Sequence, residues 1–591
     1  MRRYLLVALV AATACRRTEE PTPQPRQPPQ VRDAAPTPDA AEKPSPYRTD
    51  KSGYGVDPKL VGTGKTSLVS SEEHIASERG EKMLAAGGNA VDAAVTTALV
   101  LAVTHPSAGN LAGGGFAVVR ISKGKAAALD FRETAPGAAT ANMYLDDAGN
   151  PTKASMFGDR AVGVPGSVAG LYELHKKYGK KKWAEVVAPA IELATNGFAI
   201  EAHLHESLTE LAVRRGEIKT APTWFPEGKP VALGAVVKNP ELAATLKLIS
   251  DKGPDGFYKG VTAKAIVDEM KRGNGIITAA DLAGYKAVWR DALHTEYRGK
   301  QLYTMPPPSS GGVVITMIAN MLHDKDLGKW PWHGFDHVHN VVEVFRRGYA
   351  ARNEVLGDPK FVKNPIAKLL SPEYTAELVK TITDKATPSK EVAGLIDGKH
   401  TTNLCVVDKD GMAVAITTTL NLGFGTGVEV NGFLLNDEMD DFTSKPGTPN
   451  AFGLVQGVAN KIEPGKRMLS SMSPTVIEDE KGELLMVVGG QGGSHIITEV
   501  WQTISNVIDF HMTVDQAVAA PRFHHQHLPD EVLVDDDSIT EQTAKQLEAA
   551  GYKLALGHPG GVYGSVTAIV RTKDGWQGSV DPRNGGAAVG D

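Results

Sequence analysis

The stretch Thr401-Thr402-Asn403-Leu404-Cys405-Val406-Val407, then Asp408-Lys409-Asp410-Gly411 and Met412 to Asn421, holds the residues best placed for chemistry. Thr417, Thr418 and Thr419 crowd hydroxyls into a run whose neighbours are apolar. A threonine hydroxyl inside an intact chain is a poor nucleophile. If the bond between His400 and Thr401 opens, the freed α-amine supplies a base on the same residue. Its ordinary pKa of about 7.7–8.0 leaves a usable neutral fraction near pH 7. Thr419 is then the hydroxyl opposite, placed to orient the Thr401 side chain. By itself the hairpin is better read as ordinary threonine-rich strand chemistry, because threonine favours strands.

The elements that must position these residues can be read from the same stretch. Two β-branched runs around Asp408-Lys409-Asp410-Gly411 predict an antiparallel hairpin. Gly411 in the left-handed conformation would close a three-residue loop as a type I turn with a G1 bulge. That register sets Asp408 opposite Met412 and Thr401 opposite Thr419. Alternation puts Thr417, Thr419 and Asn421 on one face. Upstream, the pattern from Ser71-Glu72 to Leu84 predicts a helix. Ala90 to Val103, apolar on nearly all sides, predicts a buried core helix, too short to span a bilayer and carrying Asp92. Gly109 to Gly115 feeds a strand at 116–120, and a second strand follows at 126–131. Residues 166 to about 270 read as mainly helical, with helices over 184–196 and 241–250. After Thr401 short strands alternate with glycine turns, at 404–407, 412–419, 484–488 and 565–570. A helical half followed by a strand-rich half suggests layered α+β packing of the αββα kind.

The bulk properties bound the function. The chain has 591 residues, 41% hydrophobic and 22% charged, ordinary for a globular protein with a large core. A formal net charge of -6 gives no generic attraction to nucleic acid or to an acidic membrane surface. The two cysteines, Cys15 and Cys405, offer no intrachain disulfide framework, because Cys15 lies in the N-terminal segment. Met1-Arg2-Arg3, the apolar run Tyr4 to Ala12 and the small residues Ala12-Thr13-Ala14 read as an export signal over 1–14. Cys15 directly after Ala14 resembles a bacterial lipobox. The proline-rich stretch that follows cannot bury enough apolar surface to fold, so 15–53 reads as a lipid anchor and spacer. The expectation is an exported protein of the periplasm or cell envelope, held to the membrane by its lipid only. The folded body would then divide into 54–400 and 401–591.

Many further motifs occur in a fixed order. They are Gly88-Asn89-Ala90-Val91-Asp92-Ala93-Ala94, Gly109-Asn110-Leu111, Asp130-Phe131-Arg132-Glu133, Thr419-Leu420-Asn421, Phe424-Gly425-Thr426-Gly427 and Asn436 to Phe442. Lys466 to Thr475, Gly489 to Ser494, Pro521 to Gln526 and Asp581-Pro582-Arg583 follow. Together they resemble the gamma-glutamyltransferase (gamma-glutamyltranspeptidase, glutathione hydrolase) family from about residue 54 to the end. The resemblance implies a four-layer αββα Ntn-hydrolase sandwich. It also implies a precursor cleaved before Thr401 into large and small chains that stay together as a heterodimer. No cofactor or metal is implied.

The resemblance further implies a gamma-glutamyl substrate, whose free α-carboxylate and α-ammonium sit at one end. Arg132, Ser470 and Ser471 match the family's carboxylate ligands; a planar guanidinium suits a carboxylate through two hydrogen bonds. Asn421, Glu438 and Asp441 match the ammonium ligands. Gly492 and Gly493 match the oxyanion hole, where backbone N–H groups face the developing charge. The implied course is acylation of Thr401, loss of the amine, and transfer to water or to an acceptor amino acid or peptide. Pro446 to Asn460 matches a lid loop, with Phe452 where bacterial relatives often carry tyrosine; loss of that hydroxyl predicts a looser lid and a bias toward hydrolysis.

Other readings remain beside this one. A glutaryl or cephalosporin-type acylase would share the fold, but its substrate lacks the ammonium that Glu438 and Asp441 suit. A poly-gamma-glutamate processing enzyme is a variant, and a non-catalytic surface lipoprotein is the reading from another class. His524, His525 and His527 read as structural, Cys405 as a small core residue, and Lys461 to Arg467 as a solvated stretch.

Overall fold

In the computed structural model, residues 47–48, 57–215, 218, 220–389, 401–556 and 564–591 are described. The export signal, Cys15, the proline-rich segment and His400 therefore lie outside the described residues. Two seven-stranded sheets face each other. In one, the strands run in the order Val61–Gly64, Gly575–Val580, Ser565–Thr572, Leu484–Gln491, Thr475–Glu478, Lys300–Thr304, Leu293–Tyr297. The other runs Ala587–Gly590, Leu68–Ser71, Thr401–Val407, Ala413–Thr419, Gly114–Ser122, Lys125–Asp130, Val288–Arg290.

Side-chain parity builds the layers. Leu404, Val406, Val414 and Ile416 point out of the second sheet and pack with the helix Ala90–Thr104, every residue of which is buried. Cys405, Val407, Ala413 and Ala415 point the other way, into one apolar cluster with Val476, Val487 and Val488 of the facing sheet. The helix Ile496–Ile508 covers that sheet's far side, with Trp501 in the same cluster. The result is helix, sheet, sheet, helix. Asn89 caps the helix Ala90–Thr104: its side chain accepts from the N–H groups of Val91 and Asp92, and the Asp92 carboxylate returns to the Asn89 N–H. This is a reciprocal cap that satisfies orphan donors.

The hairpin has the register its sequence predicts. Thr401 pairs with Thr419, Asn403 with Thr417 and Val407 with Ala413. Gly411 has φ 78°, and the Asp408 N–H donates to the Met412 carbonyl at 3.1 Å.

Three expectations are corrected. The first helix spans His74–Ala85, not 71–84, because Leu68–Ser71 is claimed by the sheet and Glu73 caps the helix. The division into a helical half and a strand-rich half fails, since each sheet draws strands from both sides of residue 401. The short strands Leu293–Tyr297 and Lys300–Thr304 form a hairpin whose mixed polar pattern gave no clear alternation. Finally, Lys461 to Arg467 is a solvated stretch only in part, with Lys461, Pro464 and Gly465 exposed. Lys466 and Arg467 are buried; Arg467 pairs with Asp130 at 3.2 Å, and the Lys466 ammonium donates to the Ala459 carbonyl at 2.9 Å.

Candidate active site

Thr401 opens its strand on the face that looks between the sheets, and its backbone N–H donates to Gln491 Oε1 at 3.4 Å. Across the ladder, Thr419 ends the partner strand; its hydroxyl accepts the Asn421 N–H at 2.9 Å. The end of that strand is tied down by Asn110, whose amide donates to the Thr419 carbonyl at 2.9 Å and to the Thr418 hydroxyl at 3.1 Å. Asn421 has φ 80°, a left-handed backbone that asparagine tolerates. Its side chain donates to the Asp437 carbonyl at 3.0 Å.

Thr401, Thr419 and Asn421 share one cavity with Arg132, Glu438, Asp441, Ser470, Ser471 and Gly493. Of the residues singled out in the sequence, Gly492 stands just behind the wall, and His400 lies outside the described residues. The cavity holds only about 20 Å³, room for about one water. Arg132 fills its floor by pairing with both Glu438 and Asp441. Recognition groups expected on opposite sides of a ligand are thus in contact with each other. A buried guanidinium must be paired, and these carboxylates are its nearest partners. Burial works against the Arg132 charge, but the attraction of Glu438, Asp441 and Glu133 outweighs it and holds the guanidinium firmly protonated. The Glu438 carboxyl is pushed well up by burial, which its Arg132 contact only partly offsets. Burial likewise lifts Glu133 to about 7.

The two serines sit in a backbone cradle. The Ser470 N–H donates to the Pro308 carbonyl at 2.9 Å, and the Ser310 hydroxyl donates to the Ser470 carbonyl at 2.6 Å. Ser471 Oγ accepts from Arg352 at 3.3 Å. Arg352 is a site residue that sequence reading missed. It lies in the helix Phe335–Val355, among charged residues that look solvated, yet it is buried, reaches Ser310 and Gln456, and lines the cavity. Burial draws its pKa down to about 10.

Gly492 and Gly493, at φ 145° and 58°, turn the chain from Leu484–Gln491 into the helix Ile496–Ile508. Only glycine takes both conformations without strain. The Phe452 ring lies on Gly493 so closely that a Cβ there would stand 2.3 Å from the ring. This packing speaks against the looser lid expected from Phe452. Its ring is buried, its carbonyl accepts from Gln526 at 3.1 Å, and the neighbouring Ala451 N–H donates to Asp440 at 2.9 Å. Apolar packing closes this segment without a tyrosine hydroxyl.

The remaining candidates fall away from the cavity. Cys405 is buried, and burial raises its thiol to about 12, which leaves it inert. His524 bonds Thr498 at 2.7 Å and Gln526 at 3.0 Å, and His525 faces Asp530 at 3.3 Å.

The model of one family, gamma-glutamyltranspeptidase, matches residues 76–591. The chain belongs to the gamma-glutamyltranspeptidase family. It is 44% identical over 543 residues to the glutathione hydrolase proenzyme of Pseudomonas sp. (strain A14), covering 89% of this chain and 94% of that one. It is 44% identical over 544 residues to the glutathione hydrolase proenzyme of Escherichia coli (strain K12), covering 90% and 93%. Among solved structures, the cephalosporin acylase from Bacillus halodurans superposes with TM-score 0.78 at 25% identity, covering 94% of this chain and 99% of that one. The Helicobacter pylori gamma-glutamyltranspeptidase gives TM-score 0.52 at 42% identity over 53% of this chain and 91% of that one. This gamma-glutamyltranspeptidase family member thus has the expected α+β Ntn-hydrolase sandwich and is an enzyme of that type.

Proposed function

We propose that the chain is the precursor of a gamma-glutamyl hydrolase and transferase that cleaves glutathione and related gamma-glutamyl amides. The observation that carries this is the convergence on one cavity of Thr401 with a paired cluster of Arg132, Glu438 and Asp441. A gamma-glutamyl headgroup is a zwitterion. Its α-carboxylate can take the Arg132 fork while its α-ammonium takes the released carboxylates, so the guanidinium and both carboxylates each keep a partner of opposite charge. Ser470 and Ser471 add hydroxyl donors to the carboxylate, and Asn421 adds its amide carbonyl to the ammonium set. A glutaryl acid brings no ammonium and would leave Glu438 and Asp441 facing each other, which favours the gamma-glutamyl reading over the acylase. The closed cavity must open to admit either.

In the chemistry proposed, the Thr401 hydroxyl attacks the carbonyl of residue 400. The resulting ester is hydrolysed, leaving Thr401 at the head of the 401–591 chain. The new amine then takes the proton of the same hydroxyl as it attacks the gamma-glutamyl amide. The N–H groups of Gly492 and Gly493 receive the oxyanion, and the protonated amine releases the leaving group. Water or an acceptor amine takes the acyl group from the Thr401 ester.

The expected result is two fragments on a denaturing gel, the smaller beginning Thr401-Thr402-Asn403-Leu404, with release of a chromogenic anilide from its gamma-glutamyl amide. Thr401→Ala should stay whole and inactive. A single uncut polypeptide that hydrolyses the anilide would defeat this reading. Export and lipidation at Cys15 are proposed alongside it from the N-terminal pattern alone; palmitate label retained by Cys15→Ser would overturn that part.

A further inference from the structure

Behind Thr401 a line of buried polar side chains runs away from the substrate cavity. The Thr401 N–H donates to Gln491 Oε1 at 3.4 Å, and Gln491 Nε2 donates to Ser565 Oγ at 3.4 Å. The Ser565 hydroxyl in turn donates to Glu72 Oε1. All three side chains are fully buried, at 2%, 0% and 2% exposure for Gln491, Ser565 and Glu72. Each hydrogen bond points the same way, because a carboxyl oxygen at the far end accepts and thereby fixes the hydroxyl, which fixes the amide.

We infer that Gln491, aligned by Ser565 and Glu72, holds the Thr401 nitrogen by one N–H and so turns its lone pair toward the Thr401 hydroxyl. This rests on Thr401 being the nucleophile. Gln491 touches the reacting nitrogen; Ser565 and Glu72 are positioning residues that act through it.

The surroundings of Glu72 explain how a carboxyl can sit there without trapping the amine as ammonium. The nearby cations are committed elsewhere: Arg583 to Asp581 at 2.9 Å and Asp535 at 2.8 Å, and Arg522 to Asp581 and, at 3.6 Å, to Glu499. Thr402, Asn584 and Asp581 also face Glu72, as does Glu499, itself a carboxyl pushed well up by burial. Burial therefore pushes the Glu72 carboxyl up to about 8. Near neutrality it adds no negative charge beside the new amine, so the neutral amine is not penalised.

The orientation is the testable part. Glu72→Met removes the oxygen that accepts from Ser565, so the Ser565 hydroxyl can turn toward Gln491 and let its amide present the NH₂ to the Thr401 nitrogen, where it competes for the lone pair. Gln491→Met removes the acceptor altogether. In both variants kcat for a gamma-glutamyl anilide should fall by roughly a hundredfold, the low end of what a general base contributes, with KM within about twofold. The acid limb of kcat/KM should move to lower pH, because an ammonium loses an acceptor. Ser565→Ala should shift the limb the same way, and Ser565→Thr should restore it relative to alanine. Rates are normalised to the titre of processed Thr401 termini. If the normalised rate and the limb stay at the parent's position in Gln491→Met and Glu72→Met, the inference is overturned while the nucleophile stands. A reduced titre with an unmoved limb, the signature of damaged folding alone, overturns it equally. Activity surviving Thr401→Ala would instead remove the reading on which it rests.

Discussion

Arg132 is the residue on which recognition turns, and its chemistry is set by geometry as much as by charge. It contacts Glu438 through one terminal nitrogen and Asp441 through the other. A lysine in its place keeps the positive charge, but a point-like ammonium cannot span both carboxylates or grip a substrate carboxylate by two parallel bonds. Arg132→Lys should therefore raise KM for a gamma-glutamyl donor about tenfold or more, a loss of roughly 1.4 kcal/mol or above, with normal processing before Thr401. Steady-state kinetics on the purified two-chain protein checks this. An unchanged KM would mean that the carboxylate is bound elsewhere.

The lid segment illustrates what an element adds. Residues 446–460 form no helix or strand of length, yet Phe452 is 7% exposed and its ring covers Gly493. Removing a buried phenylalanine side chain costs about 3–5 kcal/mol, and in a loop outside the sheets and long helices that loss is taken locally as opening. Phe452→Ala should raise hydrolysis relative to transfer several-fold by admitting water to the Thr401 ester, with the melting temperature little changed. Competition between a dipeptide acceptor and water, followed by product analysis, measures the ratio. Phe452→Tyr is expected to keep the parent ratio, since packing rather than a hydroxyl closes the segment.

At the scale of the whole molecule the buried carboxyls contribute a pH dependence of definite sign. Burial raises Glu81 to about 7 and Glu72 to about 8. A carboxyl whose pKa is higher folded than unfolded binds more protons in the native state, so stability is fully present below about 4.5 and falls as pH rises through 7 to 8. Carboxylates held low, such as Asp591 and Asp530, act oppositely but only at acid pH. Buried histidines held neutral, such as His105, His337 and His525, act oppositely as pH falls below about 6.5, so the carboxyls are read through a difference, the melting temperature at pH 5 minus that at pH 8.5. Glu81→Gln, which keeps an acceptor for the Ser67 hydroxyl at 3.1 Å, should reduce that difference. Calorimetry at both pH values tests it; an unchanged difference would show that Glu81 ionises freely.

Local pattern by itself determined the hairpin, its loop and its register, because strand alternation and the left-handed demand at Gly411 depend on neighbours in the chain. It also determined the buried helix Ala90–Thr104 and, through ordered motifs, the family. Only the tertiary structure decided which strands share a sheet, since Leu68–Ser71 and Ala587–Gly590 pair across nearly the whole chain. It alone placed Arg352 beside Ser471, buried Lys466 and Arg467, and aligned Glu72 through Ser565 and Gln491 behind Thr401. Charged and amide side chains look solvated in sequence. Whether they are buried, and against what, is fixed by segments hundreds of residues away, and no local periodicity carries that information.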